Sequence, residues 1–279
     1  MAKYVITLVG GIGNIIQTTP FMLWLRSQGH EVYGKADKNS YSLESCELVS
    51  CAYDELIQDG EMIEGAIDKG NLLCSPFKSA VKKMPEWEAW FRWHKFEVPE
   101  TVETRTNKDS DFSLGFDMVL APTGKPSWPM KRWPYWQELI YKLPGCAVVG
   151  LEGDGGNLDG DFHDYRGKLS LGQAASFFAN SKIVIAEEGG MSHLSCAQGT
   201  RTLILFGGTD PLKNLPPHNG IVVKTNKLFD CQPCQLKGLL HRTGKGQNTT
   251  YHGCHPNDKI DGYSRCMHSL NLNNVLELL

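Results

Sequence analysis

Residues 183–206, with the sequence IVIAEEGGMSHLSCAQGTRTLILF, indicate the fold class of the chain. The apolar run Ile183–Ala186 predicts a buried strand, and Thr202–Phe206 predicts a second one. The segment between them, from about residue 191 to residue 199, predicts a short helix. Short β-branched strands separated by one helix are typical of a βαβ unit, in which the two strands lie parallel. The stretch therefore predicts an α/β protein with a parallel sheet.

The same alternation continues toward the N-terminal side of this stretch. Met118–Ala121 and residues 147–151 predict two further strands. A helix is predicted after Pro134, which a first helical turn tolerates, and another after Ser170, whose hydroxyl can cap a helix N-terminus. The second half of the chain is therefore predicted to form a doubly wound parallel sheet.

The first residues of the chain show the same alternation of predicted strands and helices. Residues 4–9 and 31–35 predict strands, and Pro20 is expected to kink the intervening helix or to mark its first turn. Between residues 36 and 116 the pattern weakens, apart from an aromatic-rich helix around Trp87, Trp90 and Trp93. The polar segment 101–112 predicts a linker, so we place a boundary between two α/β halves near residue 115.

Composition excludes several classes of protein. The 279 residues are 41% hydrophobic and 21% charged, as in an average soluble globular protein, which excludes a wholly disordered or fibrous chain. The net charge of −3 gives no overall attraction to nucleic acid or to an anionic membrane. No apolar run approaches the roughly 18 residues of a membrane-spanning helix, and the first nine residues fit a buried strand better than a signal peptide. Nine cysteines, an odd number, favour the reducing cytoplasm over a disulfide framework.

Two glycine-rich turns follow predicted strands and open predicted helices. The first is Gly10-Gly11-Ile12-Gly13-Asn14, and the second is Glu188-Gly189-Gly190-Met191-Ser192-His193. Exposed amides and the helix dipole favour anions at such a place, and two glycines suit a diphosphate. The alternative for the second turn is an ordinary glycine turn with a helix-capping Glu. A dinucleotide-binding oxidoreductase, with Asp37 on the ribose, is a weaker alternative because the third glycine of that fingerprint is Ile16.

Ligands of doubly wound sheets bind at the carboxyl ends of the strands. This rule places Thr123, Lys131, Glu152 and Gly189 around one crevice, with Lys131 directed toward phosphate unless it is part of an ordinary solvated Lys-Arg pair. The predicted donor-binding residues are Gly11, Gly13, Thr123, Lys131, Glu152, Glu188, Gly189, Gly190, Met191 and His193.

Five motifs occur in an order that resembles glycosyltransferase family 9, which contains the ADP-heptose:lipopolysaccharide heptosyltransferases. They are Gly11-Ile-Gly-Asn14 with Thr18-Thr-Pro20, Lys131-Arg-Trp-Pro134, Arg166-Gly-Lys-Leu-Ser-Leu171, Glu188-Gly-Gly-Met-Ser-His193 and Phe206-Gly-Gly-Thr-Asp-Pro211. The resemblance covers residues 1–35 and about 118–275. It implies a GT-B fold, in which two Rossmann-like domains with parallel sheets face a central crevice. Residues 1–115 would form the acceptor domain and residues 116–279 the nucleotide-sugar domain. It also implies an inverting enzyme with a nucleotide-diphosphate sugar donor and no catalytic divalent metal.

Asn14 departs from the pattern of that family, which usually has Asp at this position as the expected general base. An amide cannot accept a proton at neutral pH. Asn14 can orient the acceptor hydroxyl while another carboxylate, such as Asp37, takes the proton. Alternatively, the transition state is dissociative enough to need no base, or the protein binds a nucleotide sugar without catalysis. The predicted catalytic residues are therefore Asn14, Lys131 and Asp37, and the acceptor can be a glycan, a protein Ser/Thr or a hydroxylated DNA base.

Four cysteines lie in a polar, glycine-rich stretch, residues 228–268. Cys231 and Cys234 form a Cys-x2-Cys pair, and Cys254 and Cys266 can complete a tetrahedral site for structural zinc or iron. A subgroup resembling this family, the autotransporter heptosyltransferases, has a four-cysteine iron finger in a similar place. Four histidines offer replacement ligands, namely His241, His252, His255 and His268. The alternative is a long mobile loop with reduced thiols.

Overall fold

The computed structural model describes most of the chain. The described residues are 1–36, 43–58, 60–69, 84–123, 129–225, 229–234, 241–243, 251–253 and 259–279. They form an α/β fold with two parallel sheets, as the sequence predicts. Within these ranges, no helix has the length and apolarity that crossing a membrane requires.

The N-terminal half contains a four-stranded sheet with the strand order β3-β2-β1-β4, in which every pairing is parallel. Its elements are β1 (Lys3–Leu8), α1 (Ile12–Ile16), α2 (Thr19–Ser27), β2 (Glu31–Ala36), α3 (Leu43–Glu47), β3 (Glu55–Ile57), β4 (Ala66–Asp68) and α4 (Glu86–Trp93). Helix α4 is the predicted aromatic-rich helix. Its Trp90 and Phe91 pack against Phe21 of α2, with ring centroids 5.9 and 5.2 Å apart.

The C-terminal half contains a six-stranded parallel sheet with the strand order β10-β9-β8-β5-β6-β7. Its elements are β5 (Met118–Ala121), α5 (Trp136–Lys142), β6 (Cys146–Val148), β7 (Phe162–Asp164), α6 (Leu171–Ala179), β8 (Ile183–Glu187), α7 (Gly190–Ala197), β9 (Arg201–Leu205), α8 (Pro211–Asn214) and β10 (Gly220–Val223). The central strands are buried along almost their whole length. This burial agrees with their largely apolar sequences.

The C-terminal residues pack back onto the six-stranded half. They form two short antiparallel pairs, β11 (His241–Thr243) with β12 (Tyr251–Gly253) and β13 (Lys259–Ile260) with β14 (Tyr263–Ser264), and then α9 (Arg265–Ser269) and α10 (Leu272–Leu276). Met267 and Leu270 are fully buried in the core of that half. The Trp133 indole donates a hydrogen bond of 2.6 Å to the Leu270 carbonyl, which fixes these helices beside the sheet.

Local sequence signals account for several boundaries. Ser170 caps α6 as predicted, since Gln173 N donates to Ser170 Oγ at 3.2 Å. Pro20 marks the first turn of α2 rather than a kink. The strand predicted at residues 147–151 ends at Val148, because Leu151 N donates to Asp154 Oδ2 at 2.8 Å in a turn.

The predicted linker, residues 101–112, contains no helix or strand and is hydrogen-bonded to both halves. Asn107 Nδ2 donates to the Glu47 carbonyl at 2.9 Å, on the N-terminal side. Asp109 N donates to the Gly172 carbonyl at 3.1 Å, on the C-terminal side. The first sheet uses strands up to Asp68 and the second begins at Met118, while the domain limits at 115 and 116 remain predictions.

Candidate functional site

The two glycine-rich turns predicted from the sequence face each other. A Cβ atom added to Gly13 of α1 would lie 2.7 Å from Cδ2 of His193 in α7. A Cβ added to Gly190 would lie 3.2 Å from Cβ of Ile12. The absence of side chains at these glycines therefore lets the first turns of α1 and α7 approach closely. This approach brings together two predicted ligand-binding turns that are far apart in the sequence.

Lys131 and Glu188 form an ion pair beside the first turn of α7. Lys131 ends a 3-10 helix (Pro129–Lys131), and its Nζ lies 2.5 Å from Glu188 Oε2. Burial by itself raises the pKa of Glu188, but the Lys131 ammonium outweighs it and holds the pKa below its ordinary value. The pair is therefore charged at neutral pH. A diphosphate bound beside Lys131 must share the ammonium with Glu188.

The backbone of α7 offers two amides at this place. Gly189 N donates to Ser192 Oγ at 3.1 Å, so its amide already has an acceptor. The next two amides, those of Gly190 and Met191, open the helix, where N–H groups have no intrahelical acceptor. Of the three backbone amides predicted to bind an anion, those of residues 189–191, the amides of Gly190 and Met191 are therefore the two available to a ligand.

His193 is buried in the contact between α1 and α7. Its Nδ1 has no hydrogen-bond partner among the residues that the structure describes. Burial lowers the pKa of His193 to about 4, aided by Lys131 and opposed by Glu188. The imidazole is therefore neutral at physiological pH and can donate or accept one hydrogen bond to a ligand.

Thr123 and Glu152 lie in the segments that follow the carboxyl ends of β5 and β6. The Thr123 carbonyl oxygen lies 3.9 Å from the position of a Cβ on Gly189. Thr123 Oγ1 is buried, and no hydrogen-bond partner for it lies in the described ranges. Glu152 is exposed at the neighbouring turn, where its Cβ lies 3.2 Å from the position of a Cβ on Gly167. Thr123 thus adjoins the second glycine-rich turn, and Glu152 lies on the surface beside Gly167.

A carboxylate that the sequence did not single out lies against Asn14. Asn14 Nδ2 donates a hydrogen bond of 3.0 Å to Oε1 of Glu86, in the first turn of α4, and Glu86 is 4% exposed. Burial raises the pKa of Glu86, and the positive charges of Lys213 and Lys131 oppose the rise. Glu86 is part of the aromatic-rich helix and has no spacing relation to Asn14, so only the folded chain connects them. Asp37, the carboxylate predicted for this role, lies outside the described residues.

Two of the four predicted metal ligands, Cys234 and Cys266, lie against the glycine pair Gly207-Gly208 that follows β9. Cys266 Sγ lies 3.2 Å from the position of a Cβ on Gly207, and Cys234 Sγ lies 3.3 Å from that of a Cβ on Gly208. The pKa of the Cys266 thiol is raised mainly by burial and also by the nearby Cys231. Cys254 lies outside the described residues, and those described include no metal-binding group of three or more His, Cys, Asp or Glu. The four-cysteine centre therefore remains a prediction.

Part of the C-terminal half matches a known family. Residues 157–241 match the family model of glycosyltransferase family 9 (heptosyltransferase). This segment includes the Lys131 partner Glu188 and the whole second glycine-rich turn. No match was found among curated proteins.

Solved structures with the same fold include two from Escherichia coli and one from Veillonella parvula. ADP-heptose lps heptosyltransferase II of E. coli has a TM-score of 0.64 and 15% identity, and the match covers 99% of this chain and 97% of that one. The iron-containing dodecameric glycosyltransferase TibC from enterotoxigenic E. coli has a TM-score of 0.68 and 12% identity, with coverages of 99% and 75%. A glycosyltransferase of family 9 from V. parvula has a TM-score of 0.58 and 16% identity, with coverages of 79% and 85%. The fold is thus similar to that of GT-B heptosyltransferases. Together with the family match, it supports the predicted class of enzyme, a glycosyltransferase.

Proposed function

We propose that this protein is an inverting glycosyltransferase that moves a sugar, heptose or another, from a nucleotide-diphosphate donor to a hydroxyl group. The observation that carries the proposal is the ion pair between Lys131 and the buried Glu188, which lies beside the opening amides of α7. Glu188 and α7 belong to the segment that matches the family. Cationic and helix-end groups stabilise a departing diphosphate. The structural relatives favour an ADP-linked donor, because TibC is described in complex with ADP-D-beta-D-heptose and E. coli WaaC with ADP.

In the proposed reaction, Lys131 and the amides of Gly190 and Met191 hold the donor diphosphate. Glu188 keeps the Lys131 ammonium in place and accepts hydrogen bonds from ribose or sugar hydroxyls. The Thr123 hydroxyl can accept or donate such bonds. The acceptor oxygen attacks the anomeric carbon from the opposite face. The diphosphate then leaves with the bonding electron pair, and its developing charge falls on Lys131 and the helix end. We assign no catalytic divalent metal to this step.

The remaining assignments complete this proposal. Residues 1–115 would bind the acceptor and residues 116–279 the donor. The acceptor would be a glycan, a protein Ser/Thr or a hydroxylated DNA base, in the cytoplasm. A zinc or iron ion at Cys231, Cys234, Cys254 and Cys266 would hold the C-terminal stretch, and this part of the proposal is supported by the similar fold of TibC, an iron-containing enzyme. The second candidate is a protein that binds a nucleotide sugar without transferring it, which the amide at position 14 favours.

A binding screen tests the donor assignment. Thermal shifts with ADP-, GDP-, UDP- and CDP-sugars identify the nucleotide, because a ligand that binds only the folded state raises the melting temperature. The affinity for the corresponding nucleoside diphosphate is then measured by calorimetry. In Lys131→Ala it should fall by about 1.5–3 kcal/mol, the contribution of a charge-assisted hydrogen bond, while the bare nucleoside binds as before.

The neighbouring cation provides a matched control. Arg132→Ala removes an exposed positive charge from the adjacent position and should leave the diphosphate affinity nearly unchanged. Lys131→Ala leaves the charge of Glu188 buried without its ion-pair partner, which can destabilise the fold. The double variant Lys131→Met/Glu188→Gln removes both charges. Loss of diphosphate binding in this double variant as well shows that the loss is not caused by misfolding. Unchanged diphosphate affinity in Lys131→Ala contradicts the assignment. Stabilisation by NAD or NADP alone favours an oxidoreductase instead.

A further inference from the structure

The hydrogen bond between Asn14 and Glu86 links the first glycine-rich turn to helix α4. Asn14 follows Gly13, the residue against which the His193 ring packs, so this pair lies next to the contact between α1 and α7. One carboxylate oxygen of Glu86 accepts from the amide at 3.0 Å. A carboxylate has further lone pairs on both oxygens, so this bond fixes the group without saturating it.

The charges that act on Glu86 belong to the donor side of the proposed site. Lys213 of α8, Lys131 and Glu188 all lie in the C-terminal half, and each affects the ionisation of this carboxyl group. Glu86 itself belongs to the N-terminal half, the side assigned to the acceptor. The Glu86 carboxylate is therefore within electrostatic range of charged groups of the C-terminal half, among them Lys131, which would hold the diphosphate.

We infer that Glu86 is the general base of the transfer and that Asn14 positions its carboxylate. This inference rests on the proposed function. The acceptor hydroxyl oxygen forms a bond to the anomeric carbon while the bond from that carbon to the diphosphate oxygen breaks. The hydroxyl proton passes to Glu86 and later to solvent, and the electron pair of the broken bond leaves with the diphosphate. An amide at position 14 is compatible with catalysis in this arrangement.

Burial makes Glu86 better suited to this task than an exposed carboxylate. Desolvation raises the pKa of Glu86 above its ordinary value. The charge of Lys213, the hydrogen bond from Asn14 and the charge of Lys131 each lower this pKa, but they do not cancel the rise. A base whose pKa lies closer to the working pH accepts a proton more readily in the transition state. Because only the ionised form accepts a proton, the rate should rise with pH through the pKa of Glu86.

The competing explanation is that Glu86 only anchors α4 to α1. The variant Glu86→Gln separates the two roles. The side-chain carbonyl of Gln can still accept the hydrogen bond from Asn14, whereas an amide takes no proton at neutral pH. Glu88→Gln is the matched control, because Glu88 lies on the same helix and pairs with Arg92 at the surface.

The assay needs no knowledge of the acceptor. Release of nucleoside diphosphate from the nucleotide sugar into water is followed, with ADP-D-β-D-heptose as the first probe, and water then takes the place of the acceptor hydroxyl. Glu86→Gln should lower the rate constant about 10²–10⁴-fold, the usual contribution of a general base. It should also lose the acidic limb of the pH profile and bind the donor as tightly as the wild type. Glu88→Gln should match the wild type throughout.

A double variant that exchanges the amide and the carboxylate of this pair completes the test. Asn14→Asp/Glu86→Gln moves the carboxylate to the other member of the hydrogen-bonded pair and should recover at least about tenfold of the rate lost in Glu86→Gln. Wild-type rates in Glu86→Gln overturn the inference and leave the proposed function intact. A parallel loss of donor binding in Glu86→Gln, or no recovery of the rate in Asn14→Asp/Glu86→Gln, also overturns the inference and leaves the proposed function intact. Donor binding without turnover in the wild type overturns both the inference and the proposed transfer reaction, and it favours the second candidate, a protein that binds a nucleotide sugar without transferring it. If the wild type neither binds nor cleaves any of the four nucleotide sugars, the proposed function fails first.

Discussion

Replacing Gly13 by Ala should disrupt the contact that joins the two halves of the site. The new Cβ would lie 2.7 Å from His193 Cδ2, well inside ordinary van der Waals contact, which begins near 3.4 Å. His193 is only 3% exposed, so its ring has little room to withdraw. Overpacking of this kind costs about 1–3 kcal/mol. The higher helix propensity of Ala relative to Gly offsets at most about 1 kcal/mol of this overpacking cost.

The net expectation for Gly13→Ala is a loss of about 1–2 kcal/mol in the free energy of unfolding, measured by urea denaturation. Gly11→Ala is the control, because its Cβ would meet nothing within 4 Å and its φ of −76° suits any residue. The double variant Gly13→Ala/His193→Ala should show a favourable coupling of about 1 kcal/mol or more, since it removes the clash. Equal stability of Gly13→Ala and Gly11→Ala, with no coupling to His193, would refute the close approach of the two helices.

Two further predictions concern the C-terminal half. Burial raises the pKa of Glu187 to about 7, although the Trp133 amide and the Trp136 indole donate to its Oε1. The unfolded chain releases this proton near pH 4.5, so the wild type should lose about 3 kcal/mol of stability relative to Glu187→Gln between pH 4.5 and 7. Parallel pH profiles of the two proteins in urea denaturation would contradict this. Elemental analysis of protein purified without chelator should find about one zinc or iron ion per chain, lost together with stability in Cys231→Ser/Cys234→Ser. Metal-free wild-type protein would refute the four-cysteine centre.

The strands that the sequence predicted and the strands that it missed differ in their position in the sheets. The predicted strands β1, β2, β5, β6, β8 and β9 are the inner strands. In the two parallel sheets, the missed strands β3, β4, β7 and β10 are the four edge strands. The sequence also did not predict the short antiparallel strands β11–β14. Inner strands of a parallel sheet are covered on both faces and therefore tend to have long apolar runs. The exception is β2, in which Glu31 and Lys35 alternate with buried residues. Edge strands such as Ala66–Asp68 and Phe162–Asp164 have only three residues, some of them polar, and local sequence does not distinguish them from loops.

For the candidate site, local sequence could predict individual residues but not the contacts between them. Gly13, Lys131 and residues 188–193 could be predicted as site residues from the sequence, because strand–turn–helix junctions have a local pattern and lie at a known edge of the sheet. The sequence could not show that Gly13 would pack against His193, or that Lys131 would pair with Glu188. Each of these contacts joins residues far apart in the chain.

Taken alone, the sequence determined the α/β class, the inner strands, the cap of α6 and the two glycine-rich turns. Each of these follows from hydrophobic burial or backbone geometry over a few neighbouring residues. The facing of α1 and α7, and the placement of Glu86 against Asn14 from 72 residues away, were decided only by tertiary structure. Such pairings depend on how the two halves pack and on which charges that packing buries together. Glu86, which we infer to be the base, lies in the first turn of the aromatic-rich helix α4. The local sequence of α4 indicates only that the apolar face of this helix is buried.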